Sequence, residues 1–480
     1  MPALVGLFFI ILSGLYSQSL YAQDPEKIEE DSLQQIFRID SIVIIGNRKT
    51  AAKTVLRELT LRPGDTLRVE EIDLTFAQNR YLLLNTGLFT DAEFTLAGQD
   101  TLRERAYVSI KVKEALFILP VPIFELADRN FTVWWDEMDR DLSRINYGLR
   151  LYHMNLTGRR DRLKLAGQWG YTRKFEADYQ IPGLNRKQTF GVGINLLTTF
   201  NREIAYRTGE NKLLFENSPD EFLFKRQRIS GRAFFRPRLF FSHELTLSYQ
   251  NTYVADMVAN DLNPEFLGGG RQRISWIALN YEYIFDRRDI RPYPLTGNQF
   301  VLKLRKQGFG IFGDLDALNL TARYAHYLPV KRRFSLEAIA QGRYGVLRNR
   351  QPYYNIRALG YEEDYIRGYE FYVIDGIDYF YQKTSLRFEI FNDIISFEKI
   401  SPIEALKKMP TRVYFNLNND IGYAYDKYRS PDNPLNNTLL WGRGVGLDII
   451  VYYALVVQLE YSFNHLGESG FFLHIRAGVN

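Results

Sequence analysis

The sequence predicts a transmembrane antiparallel β-barrel of about 16 strands, preceded by a small α+β domain of order β-α-α-β-β. Three observations carry this. Aromatic residues make up 15% of the 480-residue chain and charged residues 24%, yet the mean hydropathy is only −0.27. Apolar and polar residues alternate with period two from about Leu116 to the end, in segments long for a globular strand. No second stretch of roughly 20 apolar residues exists that could span as a helix. Together these describe sheets with one face toward lipid and the other toward water.

Taken in order, residues 1–22 read as a secretory signal. Leu4 to Leu12 is the apolar core and Ser13 to Ala22 the small and polar region, although no Lys or Arg precedes the core. Residues 23–36 are charged and read as a linker. Residues 37–115 form the small domain. Phe37 to Ile45 alternates as a strand and ends at the turn pair Gly46-Asn47. Lys49 to Leu59 carries Ala52, Val55, Leu56 and Leu59 on one helical face, and Arg62-Pro63-Gly64-Asp65 breaks it. Val69 to Asn85 is a second helix, with Val69, Ile72, Phe76 and Leu83 at helical spacing. Leu88 to Leu96 and Ala106 to Glu114 alternate as two strands.

Residues 116–480 read as the barrel. Phe241 to Tyr253 sets Leu245, Leu247 and Tyr249 opposite Thr246, Ser248 and Gln250. Leu455, Val457, Leu459 and Tyr461 likewise oppose Gln458, Glu460 and Ser462. Short turns such as Pro182 to Asn185 belong at one mouth. Long connections near Asp128 to Arg144, Asn201 to Asp220 and Asn349 to Ile377 belong at the other. A soluble β-sandwich would need shorter strands and more frequent turns.

The last of these connections holds Tyr365-Ile366-Arg367-Gly368-Tyr369. Gly368 lets the backbone turn where a Cβ would clash, and Arg367 offers a rigid fork of donors matched to a carboxylate. Read alone, an Arg-Gly pair is more often a solvated loop arginine, and the rest of the chain decides between the readings. Covalent chemistry has little support. There is no Cys, the five His are scattered, and neither Gly-x-Ser-x-Gly nor His-Glu-x-x-His occurs. Nothing therefore implies a metal or a cofactor, and a net charge of +5 on 480 residues does not argue for nucleic acid.

Gly46-Asn47 after the first strand, and Leu84-Asn85-Thr86-Gly87-Leu88-Phe89 before the second, make residues 37–115 resemble a POTRA (polypeptide-transport-associated) domain. Ile366-Arg367-Gly368-Tyr369 in a late long loop matches a "Val-Arg-Gly-Tyr/Phe" motif, with Ile in place of Val. Ala358-Leu359-Gly360 upstream and Phe285 to Asp289 with Pro294 to Gly297 in mid-barrel add to the match. The chain thus resembles the BamA/TamA-type outer-membrane assembly family, with a single POTRA-like domain. The resemblance implies a bacterial outer-membrane barrel with its N-terminal domain in the periplasm and no enzymatic step. It implies a loop folded into the lumen, with Arg367 paired to acidic residues on the strands that follow, Glu389 first and Asp420 in Asp420-Ile421-Gly422 next. Its implied partners are unfolded outer-membrane protein clients, other assembly subunits and membrane lipid. A two-partner-type polypeptide exporter and a passive pore are the alternatives.

The resemblance also implies a weak lateral seam between first and last strands, placed here at about Phe117 to Leu126 and Gly470 to Val479. Residues i and i+2 of a strand turn their N–H groups to the same edge, and Pro120 and Pro122 have none. The expectation is that this depleted edge faces the last strand. The competing reading places both prolines at the junction with the small domain.

Overall fold

The computed structural model describes residues 36–100, 105–312, 315–361, 364–396, 408–428, 430–451 and 455–477. The signal at 1–22 and the linker up to residue 35 lie outside the described residues. Among the described residues no helix is long and apolar enough to cross a membrane.

The N-terminal domain runs β1 (Ile36–Ile45), α1 (Ala52–Arg57), β2 (Thr66–Arg68), α2 (Ile72–Leu84), β3 (Phe89–Asp100) and β4 (Arg105–Glu114). Its sheet has the order β2-β1-β4-β3, with β1 parallel to β4. Ile39, Val55, Leu59, Leu83, Val108 and Ile110 close the core beneath the helices. The short β2 is absent from the β-α-α-β-β expectation. Three residues are too few to show alternation, and β2 exists because the Arg62–Asp65 turn returns the chain to β1. There Ile39 N donates to Asp65 O at 2.9 Å and Gly64 N to Ile39 O at 2.7 Å.

The rest is one antiparallel sheet with two small hairpins and a short helix in its connections. It runs β5 (Ile118–Leu126), α3 (Phe131–Asp136), β6 (Ile145–Met154), β7 (Arg162–Gly170), β8 (Thr172–Ile181) and β9 (Phe190–Asn201). The hairpin β10 (Glu203–Gly209) and β11 (Lys212–Asn217) follows. Then come β12 (Phe224–Arg238), β13 (Phe241–Val254), β14 (Arg273–Asp286), β15 (Gly297–Gln307), β16 (Ala317–Lys331) and β17 (Phe334–Gly345). The hairpin β18 (Arg357–Leu359) and β19 (Ile374–Asp375) precedes β20 (Asp378–Ser396), β21 (Lys408–Tyr425), β22 (Leu440–Val451), β23 (Leu455–Asn464) and β24 (Ser469–Ala477). Among the described residues sixteen strands, from β5 to β24 without the two hairpins, form a single sheet in sequence order.

The alternation in the sequence maps onto two faces. Leu165, Ile194, Ile229, Leu247, Leu417 and Ile475 are exposed on the outside. Gln168, Asn195, Ser248, Asn418, Asp420 and Glu460 are buried on the inside. An apolar exterior around a polar interior is a membrane-spanning barrel, since backbone groups in lipid must pair with one another.

The N-terminal domain docks on the short turns. Ala51 N donates to Gly158 O at 3.0 Å, Asn155 Nδ2 to Thr50 Oγ1 at 2.9 Å, and Asn85 Nδ2 to Asp289 O at 2.6 Å. Buried Glu58 accepts from Arg236 at 2.7 Å and lies 3.3 Å from Arg160. Burial pushes its carboxyl up, but Arg236 and Arg160 outweigh this and hold it down at about 2. The long connections leave the opposite mouth.

Candidate functional site: the lumen strap and the sheet edges

The connection between β17 and β20 folds back into the lumen, and its tip lies flat on the inner face of β21 to β23. Arg367 is buried there. Its Nε donates to Asp420 Oδ2 at 2.9 Å, its backbone N to the same oxygen at 3.1 Å, and its Nη1 to Ser385 Oγ at 2.9 Å. Glu460 Oε1 lies 3.8 Å from Nη1. Asp420 is fully buried, so the pair is closed to water.

Backbone meets backbone under this strap, which is why glycines line it. Gly368 has φ +83°, and a Cβ there would meet Phe463 O at 2.6 Å. A Cβ on Gly442 of β22 would meet Arg367 O at 1.8 Å. Ile366 and Tyr369 are both buried. The Tyr369 hydroxyl accepts the N–H groups of Trp441 and His465, each at 3.3 Å, and Asn464 Nδ2 donates to Gly368 O at 2.9 Å.

The structure brings Arg367 and Asp420 together and leaves Glu389 elsewhere, a correction to the pairing expected from the resemblance. Glu389 is on the inner face, as its alternation with Phe388 and Ile390 requires. In the ladder, however, Lys383 stands opposite Asp420, and Glu389 lies opposite Tyr414. Six residues at about 3.3 Å each put it roughly 20 Å nearer the domain-bearing mouth. There it accepts from the Tyr414 hydroxyl at 2.7 Å. The second carboxylate near Arg367 is Glu460 on β23. Alternation had put Glu460 on the inner face, but its height depends on register across β21, β22 and β23, which no single strand shows.

Arg129, in the connection after β5, drew no attention in the sequence and has a large part here. Its guanidinium donates to the carbonyls of Gly360, Glu370 and Tyr372 at 3.2, 3.4 and 2.9 Å, and to that of Phe371 at 3.1 Å. Asn130 Nδ2 adds a bond to Glu370 O at 3.1 Å. From α3, Thr132 Oγ1 donates to Phe471 O of β24 at 2.9 Å. The first long connection therefore grips both the strap and the last strand.

Among the described residues the sheet does not close on itself by a ladder. Among the described residues no backbone hydrogen bond joins β5 to β24, which are the two ends of the sheet. Pro120 and Pro122 lie on β5, opposite Leu151 and Leu149 of β6. The bonds Met154 N to Phe117 O at 2.6 Å and Ala127 N to Arg144 O at 2.8 Å put the odd-numbered residues of β5 in hydrogen-bonded register with β6. Both proline nitrogens therefore point to the other, free edge, where no donor is lost from the β5–β6 ladder.

A second segment enters the lumen from the domain side. The β14–β15 turn grips Asn85, whose Oδ1 accepts Arg291 N at 3.2 Å. It inserts Tyr293, which donates to Asp448 Oδ2 at 2.8 Å and lies 4.2 Å beneath the guanidinium carbon of Arg387. Arg387 in turn donates to Pro294 O at 2.9 Å.

A membrane barrel with a docked β-α-β-α-β-β domain and a loop strapped inside defines the class: a POTRA-bearing β-barrel. Residues 37–115 match the POTRA family, described as surface antigen variable number repeat, and the N-terminal domain is a POTRA domain. The fold of the chain is that of the BamA barrel. BamA from Haemophilus ducreyi, in a form lacking POTRA domains 1–3, superposes with a TM-score of 0.53 at 14% identity, over 92% of this chain and 84% of that one. CdiB from Acinetobacter baumannii superposes with a TM-score of 0.49 at 13% identity, over 92% of this chain and 74% of that one. No curated protein matches the sequence.

Proposed function

We propose that the chain sits in a bacterial outer membrane with its POTRA domain in the periplasm, and helps unfolded outer-membrane proteins to insert or cross without covalent chemistry. The observation that carries this reading is the pair of unladdered edges on β5 and β24, one of them depleted of donors by Pro120 and Pro122. An exposed edge is a template for an added strand, and in an ordinary barrel it would be a liability. The outer strand β3 of the POTRA domain offers another edge, suited to an extended client chain. Other assembly subunits would engage this same periplasmic module. A passive pore is disfavoured, because the strap and the β14–β15 turn both occupy the lumen. Arg367 and Asp420 are read as the pair that holds the strap in its working position.

The chain has no cysteine of its own, so one cysteine in β5 and one in β24 give a clean lock. Locked protein should keep the compact migration of a closed barrel in unboiled gels and stop inserting clients; reduction should restore activity. A locked protein that inserts clients at the normal rate overturns the lateral reading. One that still passes polypeptide across the membrane without inserting any supports the exporter instead.

A further inference from the structure

Beside the strap, Glu370, Glu460 of β23 and His474 of β24 each offer a ligand atom, and these atoms lie within 4.8 Å of one another. Glu370 follows the Ile366–Tyr369 motif directly and is 2% exposed. Neither of its carboxylate oxygens has a hydrogen-bond partner among the described residues. The same holds for Glu460 Oε2 and His474 Nε2, which face each other at 3.8 Å.

The cations nearest these groups have hydrogen-bond or ring partners of their own, and Arg476 Nη2 donates to the Tyr365 hydroxyl at 3.5 Å. Arg367 is spent on Asp420 and Ser385, and reaches only the other oxygen of Glu460. The Lys383 ammonium sits 3.6 Å from the centroid of the Tyr365 ring. That ring stacks on His474 with centroids 5.0 Å apart and sets the plane of its imidazole. A buried carboxylate with no partner costs several kcal/mol, a cost that either protonation or a bound cation relieves.

We propose that Glu370, Glu460 and His474 form a binding site for a divalent transition-metal ion of the zinc type. Two carboxylates and one imidazole, without thiolate, suit such an ion, and water completes the coordination. At the widest spacing an ion centred among the three atoms stands about 2.8 Å from each, so inward shifts of about 0.7 Å reach ordinary zinc distances. The ligands come from the strap and from each of the last two strands. A bound ion would therefore fasten the strap to β24, beside the free edge.

The test titrates Zn²⁺ alone into the chelator-stripped full chain in detergent by calorimetry. One site per chain is expected, with Mg²⁺ failing to compete. Glu370→Gln and His474→Asn should each weaken binding at least about tenfold. His243→Asn, on another part of the sheet, should leave it unchanged. Zinc should also slow proteolysis of the strap in the parent chain and in neither ligand variant. Unboiled gel migration checks that each variant is a closed barrel; if Glu370→Gln does not fold, His474→Asn decides. No zinc binding by the parent chain, or equal binding by the ligand variants, overturns the site.

Discussion

Two segments enter the lumen from opposite mouths, and they are held in different ways. The strap is fixed by a closed ion pair on a glycine floor, with backbone against backbone and Arg367 against fully buried Asp420. The β14–β15 turn is fixed by an aromatic ring, a cation over that ring, and the POTRA residue Asn85. The first arrangement has few intermediate positions, because moving the strap takes from buried Asp420 its hydrogen-bonded partner Arg367. The second is a chain of softer contacts leading from the POTRA domain to the strands beneath the strap. The comparison teaches that the outer half of the lumen is a latch and the inner half a linkage.

Breaking the latch should have the largest effect. Arg367→Ala leaves Asp420 buried without its partner, which costs about 3–5 kcal/mol. Expected are faster proteolysis of the 346–377 connection and slower client assembly, with the protein itself still inserted. Normal assembly rates in cells carrying only this variant would remove the strap from the mechanism.

Next comes the junction that carries the linkage. The folded-state value of Glu58, about 2, lies below its ordinary value of 4.5, so its contribution is complete above pH 4.5 and is lost as the pH falls toward 2. The loss amounts to at most about 3 kcal/mol. Tryptic release of the POTRA domain after brief acid exposure should rise across that window, and Glu58→Gln should show the looser contact already at neutral pH.

Tyr293→Phe should cost less, about 1–3 kcal/mol, since it removes the hydrogen bond to Asp448 and keeps the ring under Arg387. Thermal unfolding followed by gel migration measures it; a loss equal to that of Arg367→Ala would erase the distinction between latch and linkage. Glu389→Ala sharpens the comparison from the other side. Among the described residues its carboxylate accepts from Tyr414 and Asn392 near the mouth, so the change should be below about 1 kcal/mol, and client assembly should be unaltered.

Much of this architecture was legible because membrane strands write both faces into the sequence. The alternation in Phe241 to Tyr253 gave strand, orientation and lipid face together. The same signal explains what was misread. Period two tells which way Glu389 and Glu460 point but not how high each stands in the barrel, and height decides which one meets Arg367. Arg129 stayed hidden for another reason: its partners are backbone carbonyls, which leave no trace in residue identity. Asp420 was found through its neighbour Gly422, where a Cβ would meet the side chain of Ile366 at 2.6 Å.

The bond from Thr132 to the Phe471 carbonyl has a mechanical consequence. An edge fastened at one end parts like a pair of shears, closed at the pivot and widest at the far end. Here the pivot lies at the mouth that carries the long connections, so a parting of the described edges would be widest beside the POTRA domain. A strand delivered by that domain would enter at the open end and advance toward the pivot. The polarity of its pairing would then be set by the position of a single threonine.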